Sequence, residues 1–394
     1  MGLNDFFEYF ISKTSIFANK AALTSEHMPE KILFRDKEIE ALAKALAPSL
    51  RCEKVSNIFI YGKTGTGKTL VANHVTNHLK QVAAKAGIGL KVIYLNCKLK
   101  RIADTEYRFL AQLCKEIGIE VPVTGLPTEE LYSIFFNKID KEKISFIIII
   151  DEIDHLIYKT GDSLLYNLTR SNLKNSNISI IGISNDLVFT QWLDPRVKSS
   201  LNEEEIVFTS YNAEQLKEIL KERAKIAFRA DALSEGVIAK CAAIAAKEHG
   251  DARRALELLR LAGEIAEREN KNKVSLEHVD LAQIAIEKDH LFEVINSQPL
   301  HSKIVLYSAI QCAKTGSIFT GELYLKYLEI CKQIGQRPLT QRRVADLIAE
   351  LDMLGILVAK VVSKGRYGRT REIALAINPQ LAERIKRELA SSMQ

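Results

Sequence analysis

The sequence predicts an α/β fold with a parallel sheet, followed by a helical region and a C-terminal winged-helix domain. Short apolar runs alternate with helical patterns up to residue 208, which is typical of a parallel sheet covered by helices on both faces. Residues 213–288 are helical and rich in alanine, and three further helical patterns and two β-rich runs follow. A chain of 394 residues is long for one hydrophobic core. We therefore expect domains at 1–212, 213–289 and 290–394.

The predicted sheet has five strands and one long insert. The strands are expected at 58–61, 91–95, 144–150, 178–183 and 205–208. The insert, 96–143, separates the second and third strands and carries Lys98, Lys100 and Arg101 close together. Open sheets of this class bind their ligand at the carboxyl ends of the strands. Residues that directly follow the strands are therefore candidates for a site.

A glycine-rich loop follows the first strand and ends in Gly-Lys-Thr. Its pattern, G-x-x-x-x-G-K-[ST], lets backbone N–H groups surround a phosphate, while the lysine adds positive charge and the threonine hydroxyl reaches Mg²⁺. An amphipathic helix is expected over 70–86, and this context favours nucleotide binding over an unoccupied glycine turn. The residues expected to contact the nucleotide are Gly62, Lys63, Thr64, Gly65, Thr66, Gly67, Lys68, Thr69 and Leu70.

Polar side chains also follow the third and fourth predicted strands. Asp151 is placed to hold Mg²⁺, and Glu152 to orient or deprotonate an attacking water. The alternative is that this acidic pair only caps the next helix, which is how we interpret the nearby Asp154. Asn185 follows the fourth strand, where its amide could position water or contact a terminal phosphate.

A pair of arginines opens one helix of the helical region, in the stretch Gly-Asp-Ala-Arg-Arg-Ala-Leu at 250–256. Arg253 is the candidate to reach the phosphates. In that case the nucleotide state would set the angle of the helical region. The alternative is an ordinary surface ion pair.

Charge and cysteine content constrain the partners and the compartment. The last 94 residues carry 15 Lys and Arg against 8 Asp and Glu, whereas the first 300 carry 40 against 41. This asymmetry indicates a nucleic-acid contact in the C-terminal domain, with a merely solvated surface as the alternative. The six cysteines lack metal or disulfide spacing, so reduced thiols and a cytosolic setting are expected. No apolar run approaches a membrane span, so a soluble protein is expected.

The helix predicted at 340–354 has an apolar face and a polar N-terminal turn. Gln341, Arg342 and Arg343 lie in that turn, which meets base edges in helix-turn-helix docking. The alternative is that Arg342 pairs with Asp346 one turn later.

A basic hairpin tip, or wing, follows this helix. Residues 360–371 include five basic residues, no acid and two glycines, which suits a tip laid along phosphates. Lys364, Arg366 and Arg369 are the expected DNA contacts. A solvated loop is the alternative.

The motifs, in their order along the chain, resemble those of a known family. The 62–69 loop, the Asp151-Glu152 pair, Asn185 and Arg253, with a winged helix behind them, look like the AAA+ initiators of archaea. These origin-recognition proteins are related to the eukaryotic origin recognition complex and its Cdc loader. The likeness covers nearly the whole chain and extends to the stretches 32–39, 194–199 and 211–223.

The resemblance implies a role for each matching residue. Lys68 and Thr69 would hold phosphate and Mg²⁺, the acidic pair would be the Walker B residues, and Asn185 and Arg253 the two sensors. Arg35, Tyr211 and Arg223 would line the nucleotide pocket, and Lys98, Lys100 and Arg101 would contact the DNA backbone. The chain departs from the family at Ser200, where members often have an arginine finger. Arg196 is the remaining candidate for that role.

The implied function is the initiation of DNA replication. The chain would bind double-stranded origin DNA under the control of ATP and ADP, hydrolyse ATP slowly, and help recruit or load the replicative helicase. Paralogous initiator subunits are further implied partners, and the location would be cytoplasmic and nucleoid-associated, without membrane contact. Two alternatives stay open: a signal-transducing P-loop ATPase with a winged helix, and a transcription regulator that keeps nucleotide as a structural ligand.

Overall fold

The fold is known from a computed structural model of the chain. It describes residues 15–25, 27–98, 104–122, 125–170, 173–186, 188–189, 193–201, 203–313, 318–363, 369–377 and 379–392. The chain forms two compact units, residues 1–279 and residues 280–394.

A five-stranded parallel sheet forms the centre of the first unit. Its strands are β1 (Asn57–Gly62), β2 (Leu90–Asn96), β3 (Ser145–Asp151), β4 (Asn177–Ser184) and β5 (Glu203–Phe208). Their order across the sheet is β2-β3-β4-β1-β5, and every neighbouring pair is parallel. All five predicted strands are confirmed, with ends that move by no more than two residues.

Helices cover this sheet and continue into the helical region. Those associated with the sheet are α1 (Asp36–Leu46), α2 (Lys68–Ala86), α3 (Glu106–Glu116), α4 (Thr128–Glu142), α5 (Ile153–Thr160), α6 (Ser163–Thr169) and α7 (Pro195–Leu201). Short 3-10 helices occur at Lys20–Leu23 and Ala47–Arg51. The helical region consists of α8 (Ala213–Ala227), α9 (Val237–Lys247), α10 (Ala252–Arg268) and α11 (Leu276–Ser297).

The strands are continuous apolar runs because both faces of the sheet are buried. In β3, Phe146, Ile148 and Ile150 pack against the insert helices, whereas Ile147 and Ile149 face the opposite layer, which includes α2. Full burial of each such side chain contributes about 1.5–3 kcal/mol. The strand is therefore firmly anchored where it delivers Asp151 to the edge of the sheet.

The second unit is a winged helix. Its elements are α12 (Leu300–Cys312), β6 (Ile318–Phe319), α13 (Thr320–Gln333), α14 (Gln341–Met353), β7 (Leu357–Ser363), β8 (Arg369–Leu375) and α15 (Pro379–Ser392). The strands form an antiparallel sheet in the order β6-β8-β7. The predicted three helices and hairpin are confirmed. The short β6 and the final helix α15 were not predicted.

Helix α11 is longer than the sequence predicts. The pattern places its end at residue 288, but the helix continues to Ser297. The charged stretch 287–289 looks like a break, whereas Leu291, Phe292 and Ile295 beyond it belong to the winged-helix core. A helix with apolar residues on several sides is expected to be buried on more than one of its faces. The domain boundaries at 212/213 and 289/290 stay predictions.

Two expectations about the whole chain can be compared with the described residues. None of their helices is both long and apolar enough to cross a membrane. All six cysteines are free thiols in the structure.

Gly182 tests the packing between strand β4 and its neighbours. A Cβ at this position would lie 2.5 Å from Phe59 Cε1, and the backbone conformation there is ordinary. We expect Gly182→Ala to destabilise the first unit by about 1–3 kcal/mol, because the ring is fully buried and has no room to move. Gly321→Ala is the matched control, since it adds a Cβ in open space at the start of a helix. Calorimetric unfolding in which both variants behave alike would contradict this prediction.

Candidate nucleotide site and winged-helix surface

The sheet brings the predicted catalytic residues to one edge. The loop leaves the central strand β1, Asp151 ends β3, and Asn185 follows β4, which lies between them. Because all these strands are parallel, their carboxyl ends meet at the same edge. The loop, Asp151 and Asn185 are therefore close in space although they are far apart in sequence.

The buried ammonium of Lys68 closes the loop. Its Nζ donates to Gly62 O and Lys63 O, each at 2.7 Å, and to Asn185 Oδ1 at 2.8 Å. Burial lowers the pKa of Lys68 to about 8, against the opposing charge of Asp151. The same ammonium can exchange these acceptors for phosphate oxygens without leaving the loop.

Two of the loop glycines are required by their surroundings. Gly65 has a φ of +68°, and a Cβ there would overlap the Asp251 carboxylate at the start of α10. Gly67 has a φ of +93°, and its Cβ would lie 3.0 Å from the Tyr211 hydroxyl. The helical region therefore lies directly on the loop, and Ala252 N also donates to Gly65 O at 3.2 Å.

Asp151 is buried and oriented by three donors. Its Oδ2 accepts from Thr69 Oγ1 at 2.9 Å and from the Tyr94 hydroxyl at 2.7 Å, while its Oδ1 accepts from Glu152 N. Burial, followed by the Asp151 charge, raises the pKa of Tyr94, so the phenol stays a donor. Sequence reasoning missed Tyr94. The available signal was its position on β2, two residues before Asn96, which pairs with Asp151.

Glu152 starts helix α5 in a left-handed conformation, with a φ of +56°. Its Oε2 lies 2.9 Å from Lys98 Nζ, at the start of the insert. Lys98, a predicted DNA contact, is therefore paired with the predicted catalytic glutamate and remains more than half exposed.

Arg35 is hydrogen-bonded to the loop and to the residues that precede the helical region. Its Nε donates to Thr66 O at 3.0 Å and to the Tyr211 hydroxyl at 3.1 Å, and its Nη2 donates to Thr209 O at 2.6 Å. The guanidinium also lies 4.0 Å from the centre of the Tyr211 ring. Burial raises the pKa of Tyr211 against the opposing charge of Arg35. This arrangement joins the N-terminal segment, the loop and the start of the helical region.

Arg223 contacts the N-terminal segment rather than a carboxylate. It lies on helix α8, is buried, and donates to Ala22 O at 3.3 Å and His27 O at 3.0 Å. Burial lowers the pKa of Arg223. It therefore fixes the position of the chain that leads to Arg35.

Arg253 is exposed at the first turn of α10, next to the loop. Its positive charge acts on two groups of the site, since it contributes to lowering the pKa of Lys68 and opposes the raised pKa of Tyr94. Arg253 is thus electrostatically coupled to the residues around the loop. Its neighbour Arg254 instead pairs with Glu248 at 2.9 Å.

Some of the predicted site residues lie outside the described residues or away from the loop. Lys100, Arg101, Lys364 and Arg366 lie outside the described residues, as does the side chain of Arg369. Arg196, the candidate finger, lies on α7 with 84% of its side chain exposed.

The winged helix presents the predicted basic turn. Thr340 caps helix α14 by accepting from Arg343 N, and the three residues 341–343 are exposed. Arg343 Nη1 lies 3.8 Å from Asp346 Oδ2, whereas no ion pair involves Arg342 in the part of the chain that the structure describes. The alternative pairing of Arg342 with Asp346 is therefore wrong. Arg371 donates to Ala345 O at 2.7 Å and fixes β8 against this helix.

Comparisons with protein families match all three predicted parts of the chain. Residues 53–195 match an AAA domain, residues 217–284 the Cdc6 AAA+ ATPase-type lid domain, and residues 293–384 the C-terminal winged helix domain of CDC6.

Whole-length relatives agree with these matches. The chain is 52% identical over 385 residues to an ORC1-type DNA replication protein of Pyrococcus abyssi, covering 96% of this chain and 91% of the relative. It is 51% identical to the protein of the same description from Thermococcus onnurineus, covering 98% and 94%. Among solved structures, the Aeropyrum pernix Orc1 protein in complex with DNA is similar, with a TM-score of 0.81 and 43% identity, covering 97% of this chain and 100% of that one.

The low pKa of Lys68 makes nucleotide affinity depend on pH. Phosphates favour the charged ammonium, so the pKa in the complex lies above the value of about 8 in the free protein. Affinity should be constant below pH 8 and fall about tenfold per pH unit above it, until the pKa of the complex is reached. Calorimetric titration of ATP from about pH 7 to about pH 9.5 measures this. Lys68→Arg, which stays charged, should show no such fall. A native affinity that is flat across this range would contradict the prediction.

Proposed function

The chain belongs to the ORC1-type DNA replication proteins, and on this basis we propose that its nucleotide site controls its hold on duplex DNA at replication origins. The observation that carries the proposal is the direct contact between loop and lid. Ala252 N donates to Gly65 O, and Asp251 lies against the same glycine. A phosphate that binds the loop therefore acts at once on the first turn of the lid helix α10, and on Arg253 within it.

The oxygen ligands around the loop suit Mg²⁺. Thr69 Oγ1 and Asp151 Oδ2 lie 2.9 Å apart, and Mg²⁺ usually takes one or two protein oxygens with phosphate and water completing its shell. Thr69 and Asp151 would hold the ion, which neutralises charge on the phosphates when bound. Lys68 and Arg253 supply further positive charge, and Tyr94 keeps the Asp151 carboxylate in place.

The ATPase activity that AAA+ membership supports is slow in this proposal. Glu152 is the candidate base, but its Oε2 is paired with Lys98, so one of its two carboxylate oxygens is already engaged. Arg196 is the one finger candidate, and it is exposed on α7. We therefore expect turnover well below the usual enzyme range of roughly 1–10³ per second. Nucleotide then serves as a switch between two long-lived states.

DNA binding would divide between two surfaces of the winged helix. Gln341, Arg342 and Arg343, exposed at the start of α14, would contact base edges, and the basic wing with Lys364, Arg366 and Arg369 would contact phosphates. The DNA complex of the Aeropyrum pernix relative supports DNA as the partner. In the insert, Lys98, Lys100 and Arg101 would add backbone contacts, with Lys98 leaving Glu152 to do so.

The further partners follow from the family and not from any contact seen in the chain. We propose the replicative helicase as the protein recruited to the origin, and paralogous initiator subunits as neighbours on the DNA. The proposed location is cytoplasmic and nucleoid-associated.

Substitution of the candidate base tests the switch. Glu152→Gln should keep ATP affinity, because the loop contacts are untouched, and lower hydrolysis at least about 100-fold, because the amide accepts no proton. The protein should then retain ATP through gel filtration. Glu218→Gln, which removes a glutamate paired with Lys221 on the lid surface, is the matched control and should hydrolyse ATP normally. Native-like turnover in Glu152→Gln would remove this residue from the mechanism.

A footprint on the organism's own DNA tests the proposed function directly. Selection of bound fragments with ATP and with ADP should protect a few repeated elements at replication start sites. Arg342→Ala should weaken binding by about 1–3 kcal/mol and relax the preference at one base position. Arg387→Ala, an exposed arginine on α15, controls for loss of charge and should keep the preference. Protection confined to promoters, or none over random duplex, would refute the initiator function.

A further inference from the structure

The residues directly before and after Asn185 belong to a network of hydrogen bonds. Ser184 Oγ, which is buried, donates to Asp154 Oδ1 at 2.8 Å and accepts from Asp186 N at 2.9 Å. Asp186 in turn accepts from Val188 N through Oδ1 at 2.9 Å. The backbone before and after Asn185 is therefore held by its own neighbours.

The same chain continues onto helix α5. The Tyr158 hydroxyl donates to Asp186 Oδ2 at 2.8 Å, and Asp154 lies one turn earlier on that helix. Asp154 and Tyr158 of α5 therefore hydrogen-bond to the two residues that flank Asn185. Helix α5 begins directly after Glu152. The two candidates for water positioning are therefore both connected to this helix, Glu152 through the backbone and Asn185 through the hydrogen bonds of its neighbours.

Asn185 itself is tied to the phosphate loop. Its Oδ1 accepts from Lys68 Nζ at 2.8 Å, so its amide points at the loop from the end of β4. An asparagine at a strand end has several rotamers open to it, and a displacement of about 1 Å at a reacting group can cost about 100-fold in rate. The groups that restrict the backbone at 184–186 therefore determine how well the amide is aimed.

We propose that Asp154, Ser184, Asp186 and Tyr158 are positioning residues that hold the Asn185 amide in register with Glu152. The inference rests on the proposed function, in that Asn185 serves ATP hydrolysis. It changes the interpretation of Asp154, which the sequence marks only as a helix-start residue. None of these four side chains needs to touch nucleotide for the effect. Their hydrogen bonds hold the backbone at the end of β4 against α5, and this fixes the direction of the Asn185 amide.

The central test is a double-mutant cycle between Ser184 and Asn185. Ser184→Ala should lower turnover at saturating ATP about tenfold, within the range of about 10–100-fold that supporting residues usually show, and leave the KM for ATP nearly unchanged. In an Asn185→Ala background the same change should have little further effect, because the amide that it positions is gone. Ser179→Ala is the matched control: it is buried in the same strand, its hydroxyl donates to Val55 O, and it should cost thermal stability alone.

A conservative series on helix α5 separates positioning from folding. Asp154→Asn keeps an acceptor for Ser184 and should retain most of the turnover that Asp154→Ala loses. Tyr158→Phe should lower turnover more weakly, since Val188 N still holds Asp186. Tyr166→Phe, whose hydroxyl accepts from Arg170, is the control on α6 and should behave as native.

If hydrolysis is too slow to compare between variants, the relative affinities for ATP and ADP can be measured instead. If Asn185 contacts the terminal phosphate, Ser184→Ala and Asn185→Ala should reduce the preference for ATP over ADP to a similar extent. Equal losses from Ser184→Ala in the native and Asn185→Ala backgrounds, or a Ser179→Ala variant that loses as much, would overturn the inference. An Asn185→Ala variant with native turnover and native ATP preference would instead refute the role of Asn185 in the proposed function.

Discussion

The geometry of the site depends on one buried positive charge, that of Lys68. Its ammonium is nearly out of contact with solvent, which costs free energy and is expressed in its pKa of about 8. Hydrogen bonds to Gly62 O and Lys63 O offset part of this cost and give the loop its shape before any phosphate arrives. Without the Lys68 side chain, the carbonyls of Gly62 and Lys63 would lose this partner. The loop is thus pre-organised by the residue that we propose to bind the phosphates.

A second, negative centre balances the first. Asp151 accepts hydrogen bonds from the Thr69 and Tyr94 hydroxyls at one oxygen, and these bonds fix the direction of the carboxylate. Around these two centres the protein has arranged groups that are already paired: Asn185 with Lys68, and Lys98 with Glu152. In the proposed function, nucleotide would exchange partners within an already formed site.

Much of the fold was accessible from the sequence, because it depends on local patterns. The strands are apolar on both faces, so their runs are visible without knowledge of their neighbours, and the loop motif is contiguous. The parts that were missed depend on contacts between distant residues. Tyr94, and the pairing of Lys98 with Glu152, were not foreseen because these residues meet the acidic pair through the placement of β2 beside β3. The hydrogen bonds of Arg35 to Thr66 O, Tyr211 and Thr209 O were likewise not visible in the sequence, and its place in the nucleotide pocket stays a prediction. The length of α11 was underestimated because its charged middle resembles a helix end.

The contact between Gly65 and Asp251 also bears on how the motif should be understood. In the pattern G-x-x-x-x-G-K-T, position 65 is one of the four that the pattern leaves open, so phosphate binding does not require glycine there. In this chain the lid requires it, because any side chain would meet the Asp251 carboxylate and the backbone is left-handed. The sequence of the loop is therefore constrained by the lid as well as by phosphate binding. Transplanting a loop with a larger residue at this position from another ATPase would preserve the motif and still displace the Asp251 carboxylate that caps α10.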